Sequence, residues 1–476
     1  MVAAKPVVGG TAVNLPPGVI SGDAARLIPV VADSSREVRA TSVLLAALHS
    51  IPAFAKALLA TVGQSTSSRT MVLGFTETRF QSKDSVPDCR PDGLLLLMRG
   101  SRTVWSALIE AKIGQARLDE EQLRRYVAVA RANQIPAIIT ISNQFAALPT
   151  HHPIRLPRSL VRNVQLFHWS WMHVLTEALL LMGSKDLENP AERYILAETI
   201  RYFSHPSVGA STHDQMNPEW RELVGKVQTG APIPKSSDLV TRTVEAWHQE
   251  TRDLALLMTR QLGQTVTLRL NRGQQRDPAV RLKDDVERLL ASYRLECAFS
   301  VPNAAAPITL RCDLRRRSIE VTMNLLAPAD RQRATSRVNW ILKQLTRTEP
   351  NGIHVRANWP GRTPATQAPL EVLRNDPAML LAEGVSALPT SFDVSLIRDI
   401  AGKFSGRKAF LEEVEAALPY FYEQVGQHLR PYAPRPPKVK PANEEQDDQG
   451  SVAEAGGPGG PDADPPERTE AIVVRA

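Results

Sequence analysis

Residues Cys89 to Tyr126 read CRPDGLLLLMRGSRTVWSALIEAKIGQARLDEEQLRRY, and the fold turns on this stretch. Leu94 to Met98 is continuously apolar, and Val104 to Ile113 is a second run carrying Val, Trp, Leu and Ile. Runs this short and apolar suit strands buried on both faces. Arg99-Gly100-Ser101-Arg102 between them supplies a hairpin turn. A hairpin centred on Ser101 pairs residues whose numbers sum to 202, which sets Asp92 opposite Glu110. A slip of a residue or two still leaves both carboxylates at the open end.

On the second strand Val104, Ser106, Leu108, Glu110 and Lys112 share one face. Trp105, Ala107, Ile109, Ala111 and Ile113 share the other. Two carboxylates directly across a ladder stand roughly 5 Å apart at Cβ and repel, and burying them unpaired is costly. A divalent cation between them removes the repulsion, Lys112 completes the charge balance, and hard oxygen ligands suit Mg²⁺. A solvated edge strand also carries E-x-K tripeptides. Against that reading stand the second apolar face, the opposed Asp92 and the helix that follows. That helix is expected over about 118–133. Leu118, Gln122, Tyr126, Val129 and Ala130 fall on one face, so Gln122 and Tyr126 are polar groups on its packed side. Ordinary hydrogen-bonded core residues are the plainer account of that pair.

Pro91-Asp92, then Glu110-Ala111-Lys112, then Gln122-x-x-x-Tyr126 resembles the PD-(D/E)XK nuclease superfamily, in its subset with a QxxxY helix. The resemblance covers roughly Ala25 to Phe203 and is sharpest from Arg90 to Phe145. It implies a restriction-endonuclease-like mixed α/β sheet flanked by helices. It implies Asp92 and Glu110 as metal ligands with the backbone carbonyl of Ala111 as a third, and Mg²⁺ replaceable by Mn²⁺. Lys112 would orient or deprotonate the attacking water, and Gln122 and Tyr126 would contact the nucleic-acid backbone or hold the ligands in place. Pro87-Asp88 is a second Pro-Asp; Asp92 is preferred because it directly precedes the strand and matches the register. Glu37 shares a helix face with Thr41, Leu44 and Leu48, and the superfamily often places such a glutamate beside the metal. Stabilisation by the helix dipole accounts for it equally well. The resemblance implies a DNA-cutting phosphodiesterase with a role in host defence, restriction or repair. The alternative is a non-catalytic or partner-dependent nucleic-acid-binding subunit that retains the nuclease fold.

The chain has 476 residues, enough for two or three domains. Net charge is +7, and the residues from Ala433 onward hold nine acids against five Lys/Arg, so the remainder carries +11. A basic body fits a polyanionic partner. Three scattered cysteines, Cys89, Cys297 and Cys312, imply neither a disulfide framework nor a zinc site and fit a reducing cytoplasm. No apolar run reaches membrane-spanning length, no signal peptide is expected, and no phosphate-loop or H-E-x-x-H motif occurs.

Residues 1–22 are expected to be a mobile N-terminus, 23–228 the nuclease-like domain, 229–236 a linker, 237–432 an α+β domain for target, self or partner recognition, and 433–476 a disordered acidic tail. Helices are expected at about 36–49 and from Pro52, strands at Met71 to Phe80 and Ile135 to Ser142, the latter parallel after its helix. Asn163 to Trp169 is the last strand of that sheet. His151-His152 lies in a loop and is read as solvated. In the second half, strands are expected near Thr265, Leu295, Ile308, Ser318 and Ile353 in a largely antiparallel sheet, with helices from Pro369, Asp393 and Lys408. Arg311 with Arg315, Arg316 and Arg317 is a basic cluster at a turn, either solvated or touching phosphate.

Overall fold

The computed structural model describes residues 7–8, 11–12, 19–29, 35–80, 90–234, 238–384 and 386–433. It is a mixed α/β protein with two main sheets and twelve α-helices among the described residues. The expected acidic tail and the alternative Asp88 lie outside those residues.

Strands β1 (Val7–Val8) and β2 (Thr11–Ala12) pair as a small hairpin. The first main sheet follows with β3 (Val19–Ala24), α1 (Arg36–Ser50), α2 (Pro52–Ala60), β4 (Thr70–Phe80), β5 (Gly93–Arg99) and β6 (Arg102–Ala111). It continues with α3 (Glu120–Ala132), β7 (Ala137–Ser142), β8 (Gln165–Ser170), α4 (Trp171–Gly183) and α5 (Pro190–Ser204). The strand order is β3-β4-β5-β6-β7-β8. β3 to β6 form an antiparallel meander, and β6, β7 and β8 run parallel, because α3 carries the chain back between β6 and β7. Val19 to Gly22, expected to be mobile, instead pairs with β4 and extends the sheet edge, where backbone bonding outweighs a weak side-chain pattern.

The β5–β6 register matches the expected sum from Gly93↔Ile109 to Leu97↔Trp105. It then shifts at a bulge, so that Met98 pairs with Thr103 and only Gly100 and Ser101 turn the chain. Both faces are covered. Trp105, Ala107, Ile109 and Ala111 pack with residues of α1, α2, α4 and α5; Leu94, Leu96, Met98 and Leu108 pack with Leu123, Tyr126 and Val127 of α3. α1 lies tight on the sheet at Gly74, where an added Cβ would stand 2.6 Å from the Leu45 Cβ. No single described helix is long and apolar enough to cross a membrane; α1 and α2 bend by 111° about Ile51.

The second half holds α6 (Trp220–Thr229), α7 (Asp238–Leu262), β9 (Thr267–Leu268), α8 (Arg272–Arg276), α9 (Pro278–Ser292), β10 (Arg294–Ser300), β11 (Ile308–Asp313) and β12 (Ser318–Leu326). α10 (Ala334–Gln344), β13 (Ile353–Asn358), β14 (Thr366–Pro369), α11 (Leu370–Asn375), β15 (Ser391–Asp399) and α12 (Arg407–Phe421) complete it. The seven strands are wholly antiparallel in the order β14-β13-β15-β12-β11-β10-β9. The helix expected from Asp393 is a strand: Phe392, Val394 and Leu396 are buried at every second position, and β15 fills the gap between β12 and β13. Arg311 is not in the turn but within β11, ion-paired to Glu296 at 2.9 Å and Glu320 at 3.8 Å, while Arg315 stacks on Tyr293.

The packing changes earlier than the expected linker at 229–236. Met216, Trp220, Leu223 and Val227 already belong to the second core. α7 serves both halves: Leu256 is buried in the first core, and Leu254, Ala255 and Met258 in the second. Its Arg252 and Arg260 reach His173 and Thr176 on α4.

Candidate functional site

The open end of the β5–β6 hairpin collects the acidic residues. Gly93↔Ile109 is the last pair of the ladder, so Asp92 sits one step beyond it, on Glu110's level. The Asp92 Oδ2 accepts the Ala111 amide at 2.8 Å. In an extended strand the amide and carbonyl of one residue leave on the same edge, so the Ala111 carbonyl also points to Asp92's side. Glu110 is 3 % exposed. Its Oε1 accepts from Lys112 Nζ at 2.6 Å, while its buried Oε2 has no hydrogen-bond partner among the described residues. Glu37, in the first turn of α1, reaches the same strand end: its Oε1 accepts the Ile113 amide at 3.4 Å, and its Oε2 is 3.9 Å from Lys112 Nζ. Trp171 anchors the strand end by donating to the Lys112 carbonyl at 2.8 Å.

α3 closes the other side. Asp119 caps it by accepting the Gln122 amide at 2.7 Å, which starts the helix two residues later than expected. Its most buried stripe includes Leu123 and Val127, not Leu118, and Gln122 lies at the stripe's margin. Gln122 Nε2 donates to the Tyr126 hydroxyl at 3.0 Å, and that hydroxyl donates to the Arg90 carbonyl at 3.4 Å, just ahead of Asp92. Glu110, Gln122, Tyr126 and Thr140 line a small cavity of about 10 Å³. All six side chains singled out in the sequence therefore gather around one strand end.

The electrostatics follow from burial. Desolvation first, and the charge of Glu110 second, hold the Asp92 carboxyl well above the usual carboxylate range; the Ala111 amide and Lys112 only partly offset them. Burial lowers the Lys112 ammonium, but the charge and hydrogen bond of Glu110, with Glu37 and Asp92 behind, raise it further, so the net shift is upward. Lys112 is thus a fixed positive charge. Burial, then Glu110, push the Tyr126 hydroxyl far upward, which keeps it a neutral donor. Among the described residues no group of three or more His, Cys, Asp or Glu has metal-ligating geometry. A cation here would rest on Asp92, Glu110 and the Ala111 carbonyl. The orphaned Glu110 Oε2 and the uncompensated Asp92 fit that role.

Sequence reasoning missed three neighbours. Thr140 pairs with Glu110 across β6 and β7; its only sequence signal is a lone hydroxyl among isoleucines. Glu77 takes a left-handed φ of 51° and receives Arg90 at 2.9 Å, bracing the approach to Asp92. His168 joins a buried chain with His152. Its Nε2 donates to the Gln144 carbonyl at 2.8 Å, so Nδ1 accepts from Thr140 Oγ1 at 2.8 Å, and that oxygen accepts from His152 Nε2 at 2.9 Å. His151 and His152 are therefore not solvated. The loop folds inward, and His151, 4 % exposed, donates to the Gln275 carbonyl at 2.8 Å. No protein-family model, no curated protein and no solved structure matches this chain.

Proposed function

We propose that the chain is a divalent-metal-dependent nuclease of the PD-(D/E)XK kind, with a restriction-endonuclease-like first half acting on DNA. The observation that carries this reading is a buried carboxylate pair, Asp92 and Glu110, with one Glu110 oxygen unpartnered and a lysine locked beside it. Burying two like charges together costs free energy that a bound cation would offset. A Mg²⁺ or Mn²⁺ ion held by Asp92, Glu110 and the Ala111 carbonyl would supply Lewis acidity and a water of lowered pKa.

The chain's own residues divide the remaining work. Asp92 and Glu110 would hold the cation that faces the scissile phosphate. Lys112, kept cationic by its three carboxylate neighbours, orients the attacking water and offsets charge on the phosphate, and does not act as the base. Glu37 holds Lys112 and the Ile113 amide in place. Gln122 and Tyr126, bonded to each other and to the Arg90 carbonyl, hold the approach to Asp92 in place.

The second reading is a binding or partner-dependent subunit with this fold. It is favoured by the close Lys112–Glu110 ion pair, which balances part of the buried charge without a metal. Supercoiled plasmid, linear duplex and single-stranded DNA incubated with Mg²⁺, Mn²⁺ or EDTA separate the two. Metal-dependent cutting that is lost in Lys112→Ala is expected. No cutting of any substrate by the parent protein moves the assignment to the second reading.

A further inference from the structure

A second cleft, of about 210 Å³ and open to solvent, lies where the loop after β7 faces α7 and α9. Its walls include Phe145, Pro153, Arg155, His248, Arg281 and Leu282. Arg281 is the unusual member. It is only 4 % exposed. Its Nη2 donates to Thr251 Oγ1 at 2.9 Å, and Asp285 Oδ2 is 3.6 Å from its Nε, beyond hydrogen-bond reach. Nη1 and Nε have no hydrogen-bond partner among the described residues, yet neither is sealed in by protein. A buried guanidinium with free donors facing a cleft is a ready anion clamp.

Asp285, ion-paired to Arg281 at 3.6 Å, offsets that charge only in part, because the same carboxylate also serves Arg288. Its Oδ1 is taken by Arg288 at 2.6 Å and its Oδ2 by His248 Nε2 at 2.7 Å. Arg155, exposed on the opposite wall, has no ion pair among the described residues. Glu245, at the rim, is the acid on the lining itself. Phe145, Pro153 and Leu282 add apolar surface against which a flat ring can lie.

The cleft also shares an edge with the carboxylate site. Gln144 and Phe145 directly follow the carboxyl end of β7, beside the carboxyl end of β6 that carries Glu110. Ligands of parallel α/β sheets lie along that edge. One hydroxyl serves both places: Thr140 lines the cavity with Glu110 and bonds His152, which lines the cleft.

We propose that this cleft binds the phosphate of a nucleotide between Arg281 and Arg155, with the sugar or base against Phe145, Pro153 and Leu282. A free nucleotide and the backbone of a nucleic-acid strand present the same phosphate chemistry. The site stands on its own geometry and holds whether or not the carboxylate site cuts.

The test is calorimetric titration of the full chain in EDTA with inorganic phosphate, with AMP and with a short single-stranded DNA. EDTA removes cutting from the readout. Saturable AMP or DNA binding is expected, weakened about tenfold by Arg155→Ala, the loss of one charge-assisted contact. It is unchanged by Lys408→Ala, the loss of an exposed charge on α12. Arg281→Gln, checked for folding by circular dichroism, weakens binding at least as much; Arg155 is exposed, so its variant decides the matter if Arg281→Gln does not fold. AMP that binds without being displaced by DNA identifies a free nucleotide as the ligand. DNA that binds and displaces AMP identifies the nucleic-acid backbone. Absence of binding by all three probes, or binding unmoved by Arg155→Ala, overturns the proposal.

Discussion

Replacing Lys112 with methionine removes one charge and keeps the apolar stem, so the variant reports on electrostatics with little cavity term. Lys112 Nζ stands 2.6 Å from Glu110 Oε1, and their side chains are 15 % and 4 % exposed. Breaking a buried ion pair from one side costs about 3–5 kcal/mol, since the remaining charge is left unpaired. The partly exposed lysine places the loss near the low end, about 3 kcal/mol in EDTA. The other Glu110 oxygen has no partner to take over. A cation between Asp92 and Glu110 competes with Lys112 for Glu110, so it should stabilise Lys112→Met more than the parent. At about 100 times its dissociation constant a bound ion contributes roughly 2.7 kcal/mol. The assay is urea unfolding of both proteins in EDTA and in Mg²⁺, beside plasmid cutting. The expected pattern is a variant weakened in EDTA, largely restored by Mg²⁺, and inactive in both. Equal stability of the two proteins in EDTA, with no selective rescue by Mg²⁺, would refute the charge-balance reasoning.

Acid should destabilise the protein. Burial lowers His152 from 6.5 to about 4 and His168 from 6.5 to about 3. Between those values and 6.5 the unfolded chain binds the extra protons, so stability is full above 6.5 and falls as pH drops toward 4. His152 alone accounts for about 2 kcal/mol by pH 5; thermal unfolding from pH 7.5 to 5 should show the fall, and His152→Gln should reduce it, leaving the part due to His168. Gly74→Ala drives a Cβ to 2.6 Å from Leu45 Cβ, and it should lower stability by about 1–3 kcal/mol and reduce cutting by displacing α1 and its Glu37. Denaturant melts with a matched Ala60→Gly control check this, and an unchanged melt counts against the close α1–sheet contact. Tyr126→Phe strands the Gln122 amide and should cost about 1 kcal/mol. It should slow cutting without weakening Mg²⁺ binding, measured by calorimetry.

Much of the site was legible because it is local. A hairpin ties Asp92 to Glu110 through its register alone, and a strand's period of two puts Glu110 and Lys112 on one face. The bulge at Leu97 did not disturb this, since it lies at the turn end and the carboxylates lie at the other. Helical spacing likewise brought Gln122 within reach of Tyr126. Even Glu37 was visible as a carboxylate on an otherwise apolar helix face, though only α1 lying against the sheet at Gly74 delivers it to Lys112.

Tertiary structure alone decided what depends on distant partners. Ser391–Asp399 alternates clearly, but the helical reading from Asp393 failed because only the gap between β12 and β13 makes a strand the better home. Val19–Ala24 is a strand because β4 offers it an open edge. His151 and His152 sit in a loop whose composition says solvent; contacts to Gln275 and Thr140 say otherwise. The cleft around Arg281 is assembled from the loop after β7, α7 and α9, so no local pattern encodes it. Periodicity and register act over a few residues and are written in the chain. Burial of a polar group is settled by what packs against it, and that partner lies more than a hundred residues away for His151.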